Sequence, residues 1–285
     1  MLAVTKLHHD FGVEVCGVDL STALSDETFN EIETAFFAGQ LMVLHDQRLS
    51  PAQFHSFSKR FGPPEPHVID QFHHPACSDI LVLSNVEKNG SPTGLADAGT
   101  YFHTDYSYLD VPARCTMLYS IVVPKIGGDT LFANQYAAYD DLSASMKTRI
   151  ENLVGLHHYG NRDDLNDASR TVASVLNDKQ RNRLNWVRHR VARAHPVTGR
   201  KALYAVSGSS FGIEGMPDNE AVALLDELKA HATQPKYIYS LKYSVDSLVI
   251  WDNASLLHSA TLIDPNDART LWRITVKEPV GKGAV

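Results

Sequence analysis

The sequence predicts a mostly β protein with helical insertions, built as a jelly-roll-like sandwich. Three observations carry that expectation. Short strand-like runs recur from residue 12 to residue 279. Turn residues (Gly, Pro, Asn, Asp) separate them. The clearest helical patterns are few and stand between strand runs, as covering helices do. No repeat or low-complexity linker interrupts the chain, so the expectation is one domain over 1–285.

In chain order, GVEVCGVDL (12–20) alternates as a strand does. SDETFNEIETAFFAGQ (25–40) reads as a helix, with Ser25 as N-cap and Asp26 and Glu27 in the first turn; Phe29, Ile32 and Phe36 share one face. LMVLHDQ (41–47) is a buried strand. SPAQFHSFSKRFG (50–62) opens with the signature of a capping box, including Pro51 at N1 and Gln53 at N3. ILVLSNV (80–86) is a strand, followed by a Gly-rich loop (88–100). RCTMLYSIVVP (114–124) reads as buried on both faces, and KIGGDTLFAN (125–134) as a turn feeding a strand. A polar stretch from about 140 to 190 carries helices and a mobile part at 162–170. HPVTGRKALYAV (195–206) reads as a hairpin turning at Thr198-Gly199. PDNEAVALLDELKAHAT (217–233) is an amphipathic helix. SLVIWDN (247–253), LLHSATLI (256–263) and RTLWRITVKEP (269–279) close the chain as strands.

Composition excludes several function classes. The 285 residues are 44% hydrophobic, enough for one large core or two small ones. The net charge of −7, with no basic stripe, argues against nucleic acid. No apolar run approaches the roughly 18 residues of a membrane span, and MLAVTKLHHDFG lacks the apolar core of a signal peptide. Cys16, Cys77 and Cys115 are far apart and form no CxxC, so free thiols in a reducing cytoplasm are expected. Fourteen histidines raise the question of a metal.

The stretch YFHTDYSYLD (101–110) sharpens that question. On a strand, His103 and Asp105 would share a face. One imidazole and one carboxylate suit a divalent metal of the iron class if a second histidine joins them; the ordinary alternative is a hydrogen-bonded pair or a turn. His258, in WDNASLLHSAT, is the best candidate for that histidine, although a histidine in an apolar strand is more often a core residue. In RTLWRITV, alternation puts Arg269 and Arg273 on one face of a strand that otherwise looks buried. Unpaired buried charge is costly, so an anion must meet them. It is either a protein carboxylate or a bound dicarboxylate, which arginine grips well. Thr130, just past Gly127-Gly128, adds a hydroxyl.

At these residues the sequence resembles the taurine dioxygenase / 2,4-dichlorophenoxyacetate dioxygenase family. The similarity runs over nearly the whole chain: GVEVCGVDL, FGPPEPH, FHTD, PKIGGDTLFAN, AHPVTGRKALY, WDNASLLH and ARTLWR follow in the family's order. The resemblance implies a double-stranded β-helix and a dioxygenase that uses Fe(II), 2-oxoglutarate and O2. It implies that His103, Asp105 and His258 hold Fe(II), that Thr130 and Arg269 bind the distal carboxylate of 2-oxoglutarate, and that Arg273 lies near its iron-chelating end. It implies succinate and CO2 as products, and a dimer or tetramer as the assembly.

The substrate segments depart from the taurine enzymes. Gly99 stands where they have asparagine, Ser209 where they have phenylalanine, and Asp70 where they have a tyrosine three residues past the histidine matched by His67. AHPVTGRKALY and HATQPKYIYSLKYSVDSLVIWDN look closer to the phenoxyalkanoate-degrading branch. The substrate is therefore expected near His67, Gly99, Ser209 and Arg273, the loop 88–102 and the segment 162–170. Arg273 suggests a small anionic molecule. Tyr106, Tyr108, Trp251 and Trp272 are expected to pack. Two other readings stand beside this one: the same chemistry on a carrier-bound amino acid, and a non-oxidative jelly-roll metal protein.

Overall fold

A computed structural model describes residues 2–96, 99–159, 179 and 185–279. The segment 162–170, expected to be mobile, lies outside the described residues. In chain order the strands begin with β1 (Ala3–Lys6), β2 (Val13–Cys16), β3 (Leu41–Leu44), β4 (His73–His74), β5 (Cys77–Ser84), β6 (Glu87–Lys88) and β7 (Ser91–Pro92). They continue with β8 (Ala113–Val122), β9 (Thr130–Asn134), β10 (Val154–His157), β11 (Val187–Arg190), β12 (Ala192–Ala194), β13 (Lys201–Leu203) and β14 (Ser210–Ile213). The last are β15 (Ile238–Leu241), β16 (Leu248–Asp252), β17 (Leu256–Ala260) and β18 (Thr270–Lys277). The helices are α1 (Asp26–Gly39), α2 (Pro51–Ser58), α3 (Gln135–Asp140), α4 (Ala144–Ile150) and α5 (Asp218–Ala232).

An eight-stranded sheet, in the order β1-β2-β3-β16-β8-β18-β5-β4, faces a smaller sheet ordered β15-β9-β17. The long strands explain why their sequences read as continuous apolar runs: both faces are buried. Cys115, Met117 and Tyr119 of β8, Leu248 and Ile250 of β16 and Ile274 and Val276 of β18 point one way, into a core with Ile32 and Phe36 of α1 and Phe54 of α2. Leu118, Val249, Trp251 and Leu271 point the other way and meet Phe132 of β9, Leu256 of β17 and Leu241 of β15. A third core beyond the small sheet gathers Leu224, Leu225 and Leu228 of α5. The jelly roll expected from the sequence is the observed fold.

The helix starts follow their caps. Ser25 accepts from the Thr28 amide, and Ser50 and Gln53 close the reciprocal capping box. The second helix stops at Ser58, earlier than its pattern suggested. The hairpin turns where expected, with Gly199 at φ +70° between β12 and β13. All three cysteines are free.

One local expectation is corrected. Residues 101–110 are not a strand. His103 makes a single isolated bridge to His258, and the chain turns from Asp105 onward. Tyr106 takes φ +52°, so period-2 alternation does not extend past Asp105.

Candidate active site

The loop 99–110 lies across the gap between the two sheets because its backbone is pinned at several points. His103 and His258 exchange amide-to-carbonyl bonds of 2.9 Å in both directions. The Asp105 amide donates to Asn253 Oδ1 at 3.3 Å, and Asn253 itself lies in the tight turn that follows β16. His258 sits on β17, in register with Phe132 of β9.

These constraints bring His103, Asp105 and His258 together, with one ligand atom from each lying within 4.8 Å of the others. His103 Nε2 is 3.7 Å from Asp105 Oδ1, and His258 Nε2 is 3.6 Å from Asp105 Oδ2. Metal–ligand bonds of about 2.1 Å separate neighbouring donors by roughly 3.0–3.4 Å, so a small inward adjustment fits a divalent ion. The donor set is right for one. His103 Nδ1 donates to the Tyr101 carbonyl at 2.8 Å, which leaves the Nε2 lone pair facing inward. Burial holds both imidazoles below their ordinary pKa, and thus neutral and able to ligate. Burial alone would push the Asp105 carboxyl up. The Arg273 guanidinium, with the Thr116 hydroxyl, outweighs it and keeps that carboxyl well below the carboxylate range. Two other clusters gather three donors each among the described residues, His8/His9/Asp10 and His55/Cys77/Asp79. Both are more exposed, and His55 and Asp79 already satisfy each other at 2.7 Å.

Arg273 enters from β18 and stands 2.7 Å from Asp105 Oδ1, a close ion pair without the alignment of a hydrogen bond. Among the described residues Arg269 has no such counterion. Its side chain is buried and its Nε lacks a partner, and burial lowers its pKa. It precedes β18, whose pairing with β8 shifts register between Thr270 and Leu271. Strand alternation alone therefore does not align the two arginines. They converge on one small cavity lined also by Thr130, Trp251 and His258. Thr130 Oγ1 lies 2.8 Å from the Tyr243 hydroxyl. Tyr243 was not singled out in the sequence, because nothing local marks a tyrosine in KYSVDSLV as a neighbour of residue 130.

A second cavity opens on the other side of Arg273. His67, Gly99, Ser209 and Arg273 all line it, together with His103, Asp105 and four tyrosines: Tyr101, Tyr106, Tyr108 and Tyr159. Two expectations change here. Tyr106 and Tyr108 do not merely pack behind the ligands; the turn at Tyr106 swings both rings onto the cavity wall. Trp251 is a core residue as expected, but its ring also lies 4.6 Å from that of His258. Trp272 packs against Tyr119, as predicted. His67 is buried, its pKa is lowered to about 3 chiefly by burial, and it is neutral. Asp70 lies in an exposed 3₁₀ turn away from this wall.

Gly99 is constrained by the ligand it faces. It has φ +94°, and a Cβ there would come within 2.4 Å of His103 Cε1. An asparagine cannot occupy this backbone without displacing the imidazole. Gly99→Ala is expected to tilt His103 and lower turnover by about a hundredfold, the cost of a misplacement near 1 Å. Parallel Mn(II) titrations check it: weaker binding is expected, and unchanged binding and turnover would mean the loop yields instead.

The family model for taurine catabolism dioxygenase TauD, TfdA family matches residues 3–275. An alpha-ketoglutarate-dependent 2,4-dichlorophenoxyacetate dioxygenase of Cupriavidus pinatubonensis is 34% identical, over 96% of this chain and 97% of its own length. An (S)-phenoxypropionate/alpha-ketoglutarate-dioxygenase of Sphingobium herbicidovorans is 30% identical over 94% and 92%. The crystal structure of AAD-2 in complex with Mn(II) and N-oxalylglycine superposes with a TM-score of 0.83 at 30% identity, covering 100% of this chain and 99% of that one.

Proposed function

The chain belongs to the TauD/TfdA family and is a 2-oxoglutarate-dependent dioxygenase, and from that premise we propose that it hydroxylates a small organic anion of the aryloxyalkanoate or sulfonate kind. His103, Asp105 and His258 hold Fe(II) in this reading, and Thr130 and Arg269 take the distal carboxylate of 2-oxoglutarate. Arg273 serves the chelating end of 2-oxoglutarate and the anionic group of the substrate. His67, Gly99 and Ser209 line the substrate side.

Fe(II), when bound, supplies the O2 chemistry that couples oxidative decarboxylation of 2-oxoglutarate to C–H hydroxylation. The chain's own residues do the rest. Thr130 and Arg269 offer a hydroxyl and a fork of N–H donors to one carboxylate, which fixes the co-substrate's orientation. The tyrosine wall and neutral His67 present ring faces that exclude water from the reacting carbon.

The observation that carries the substrate class is charge balance. Asp105, Arg269 and Arg273 are buried together, while His67, His103 and His258 are held neutral. These side chains thus carry a formal net charge of one positive. A divalent ion raises it to three, and 2-oxoglutarate, a dianion, returns it to one. A monoanionic substrate brings the closed site to neutrality, which a low-dielectric interior favours. To the same reading belong a single domain over 1–285, a cytoplasmic setting and a dimeric or tetrameric assembly. Among the described residues, no helix is long and apolar enough to cross a membrane.

Succinate release tests the proposal. Fe(II)-loaded protein with 2-oxoglutarate and O2 is given phenoxyacetate, an alkanesulfonate or an alkyl sulfate, and each anion's neutral amide or alcohol. An anion should stimulate succinate release where its neutral analogue does not. Equal stimulation by the neutral analogues would sink the anionic class.

A further inference from the structure

Behind the three ligand side chains lie Thr116, Thr275 and Asn253, buried residues that line neither cavity, and the direction of the bonds that join them to Asp105 and Arg273 can be assigned. Thr116 of β8 and Thr275 of β18 are cross-strand partners. They are 0% and 2% exposed, on the face where neighbouring positions carry Leu118 and Leu271. Valine or isoleucine would be the ordinary choice there. A pair of hydroxyls in such a place loses hydration and is tolerated only where each finds partners.

Each does. Thr116 Oγ1 lies 2.6 Å from Asp105 Oδ2. A carboxylate only accepts, so the Thr116 proton is committed to Asp105. Asn253 Nδ2 donates to Thr116 Oγ1 at 3.0 Å. The remaining contact of Thr116, 3.1 Å to Thr275 Oγ1, is then a bond only if Thr275 donates. That leaves a lone pair on Thr275, which accepts from Arg273 Nε at 3.2 Å. A guanidinium only donates, so the chain has one polarity: Arg273 to Thr275 to Thr116 to Asp105. Asn253 braces it twice, because its Oδ1 also accepts the Asp105 amide.

We propose that Thr116, Thr275 and Asn253 are positioning residues that hold the Asp105 carboxylate in its ligating orientation and tie that orientation to Arg273. The inference rests on the dioxygenase reading of the triad. Arg273 meets Asp105 twice, directly at Oδ1 and through the two threonines at Oδ2. An anion that draws the tip of Arg273 away from Oδ1 leaves the bond from Nε intact. Arg273 can thus exchange its internal carboxylate for a ligand while Asp105 stays fixed. The network lets one arginine serve an empty site as counterion and a filled site as anion clamp.

The test is Mn(II) and 2-oxoglutarate affinity of the metal-stripped full chain, by calorimetry, beside melting temperature. Thr116→Val and Thr275→Val each delete a hydroxyl at nearly constant volume, and each is expected to weaken Mn(II) binding about tenfold, the lower end for partners of metal ligands. Thr275→Val should also weaken 2-oxoglutarate, although residue 275 touches neither ligand. Thr275→Ser restores the hydroxyl and should restore both affinities. Should Thr275→Val not fold, Thr275→Ala removes the same hydroxyl with room to relax. Melting temperatures that fall while both affinities hold would overturn the proposal, since they describe a merely structural pair. Loss on Thr116→Val with none on either Thr275 variant would overturn the tie to Arg273. His103→Ala is the separate control: if it binds Mn(II) as well as the native chain, the reading of the triad fails, whatever the threonines do.

Discussion

His103→Ala is expected to abolish 2-oxoglutarate turnover while leaving the chain folded. The loss should exceed the about 10–100-fold that follows from removing an outer partner of a ligand, because a donor itself is gone. The fold should survive for reasons visible around the residue. The bridge between residues 103 and 258 is made by backbone atoms. Among the described residues the imidazole has one hydrogen-bond partner, the Tyr101 carbonyl, so about 1 kcal/mol is at stake besides packing. Its neutrality means that no buried charge is left behind. Asp105→Ala would be a poorer experiment. It strips buried Arg273 of the carboxylate 2.7 Å away, and breaking such a pair costs about 3–5 kcal/mol. Succinate release and circular dichroism decide the matter. Turnover above a tenth of the native rate, in a folded variant, would remove His103 from the ligand set.

The behaviour of this segment also shows what the sequence could and could not disclose. His103 and Asp105 do converge, but not through the strand alternation that suggested it. They converge because His258 bridges one backbone and Asn253 holds the other, and both partners lie about 150 residues downstream. Local periodicity cannot contain that information. It did contain the helix caps at Ser25 and Ser50, which depend on neighbours three residues away, and the strands β8, β16 and β18, whose two-faced burial writes itself as an apolar run. Tyr106 and Tyr108 were misread for the same reason that His103 was read rightly by accident. A positive φ at residue 106 ends the alternation, and no glycine or asparagine marks the spot. Thr116, Thr275 and Tyr243 were missed because a threonine in a strand, or a tyrosine near one, is ordinary until its partner across the fold is known.

Arg269→Met should separate function from stability in opposite directions. The buried arginines differ in how they are satisfied. Arg273 has Asp105 and Thr275. Partly buried Arg193, elsewhere, has Glu278 at 2.8 Å. Arg269 has no carboxylate within ion-pair distance among the described residues, and its Nε has no partner. Its position is nonetheless held firmly, because its backbone amide donates to Asn85 Oδ1 at 2.8 Å. A cation kept in place without a counterion weakens the ligand-free fold, since burial disfavours its charged form. Methionine keeps the aliphatic stem and removes the charge, so the ligand-free variant is expected to melt about 2–4 °C higher, the shift that roughly 1 kcal/mol gives a chain of this size. The same change deletes the charge-assisted donors offered to the distal carboxylate. At about 1.5–3 kcal/mol per such bond, the KM for 2-oxoglutarate should rise by about a hundredfold or more. Calorimetric melting and a 2-oxoglutarate titration of succinate release measure the two effects independently. A lower melting temperature with an unchanged KM would mean that Arg269 is a structural cation, and the distal carboxylate would then need another partner than the pair of Thr130 and Arg269.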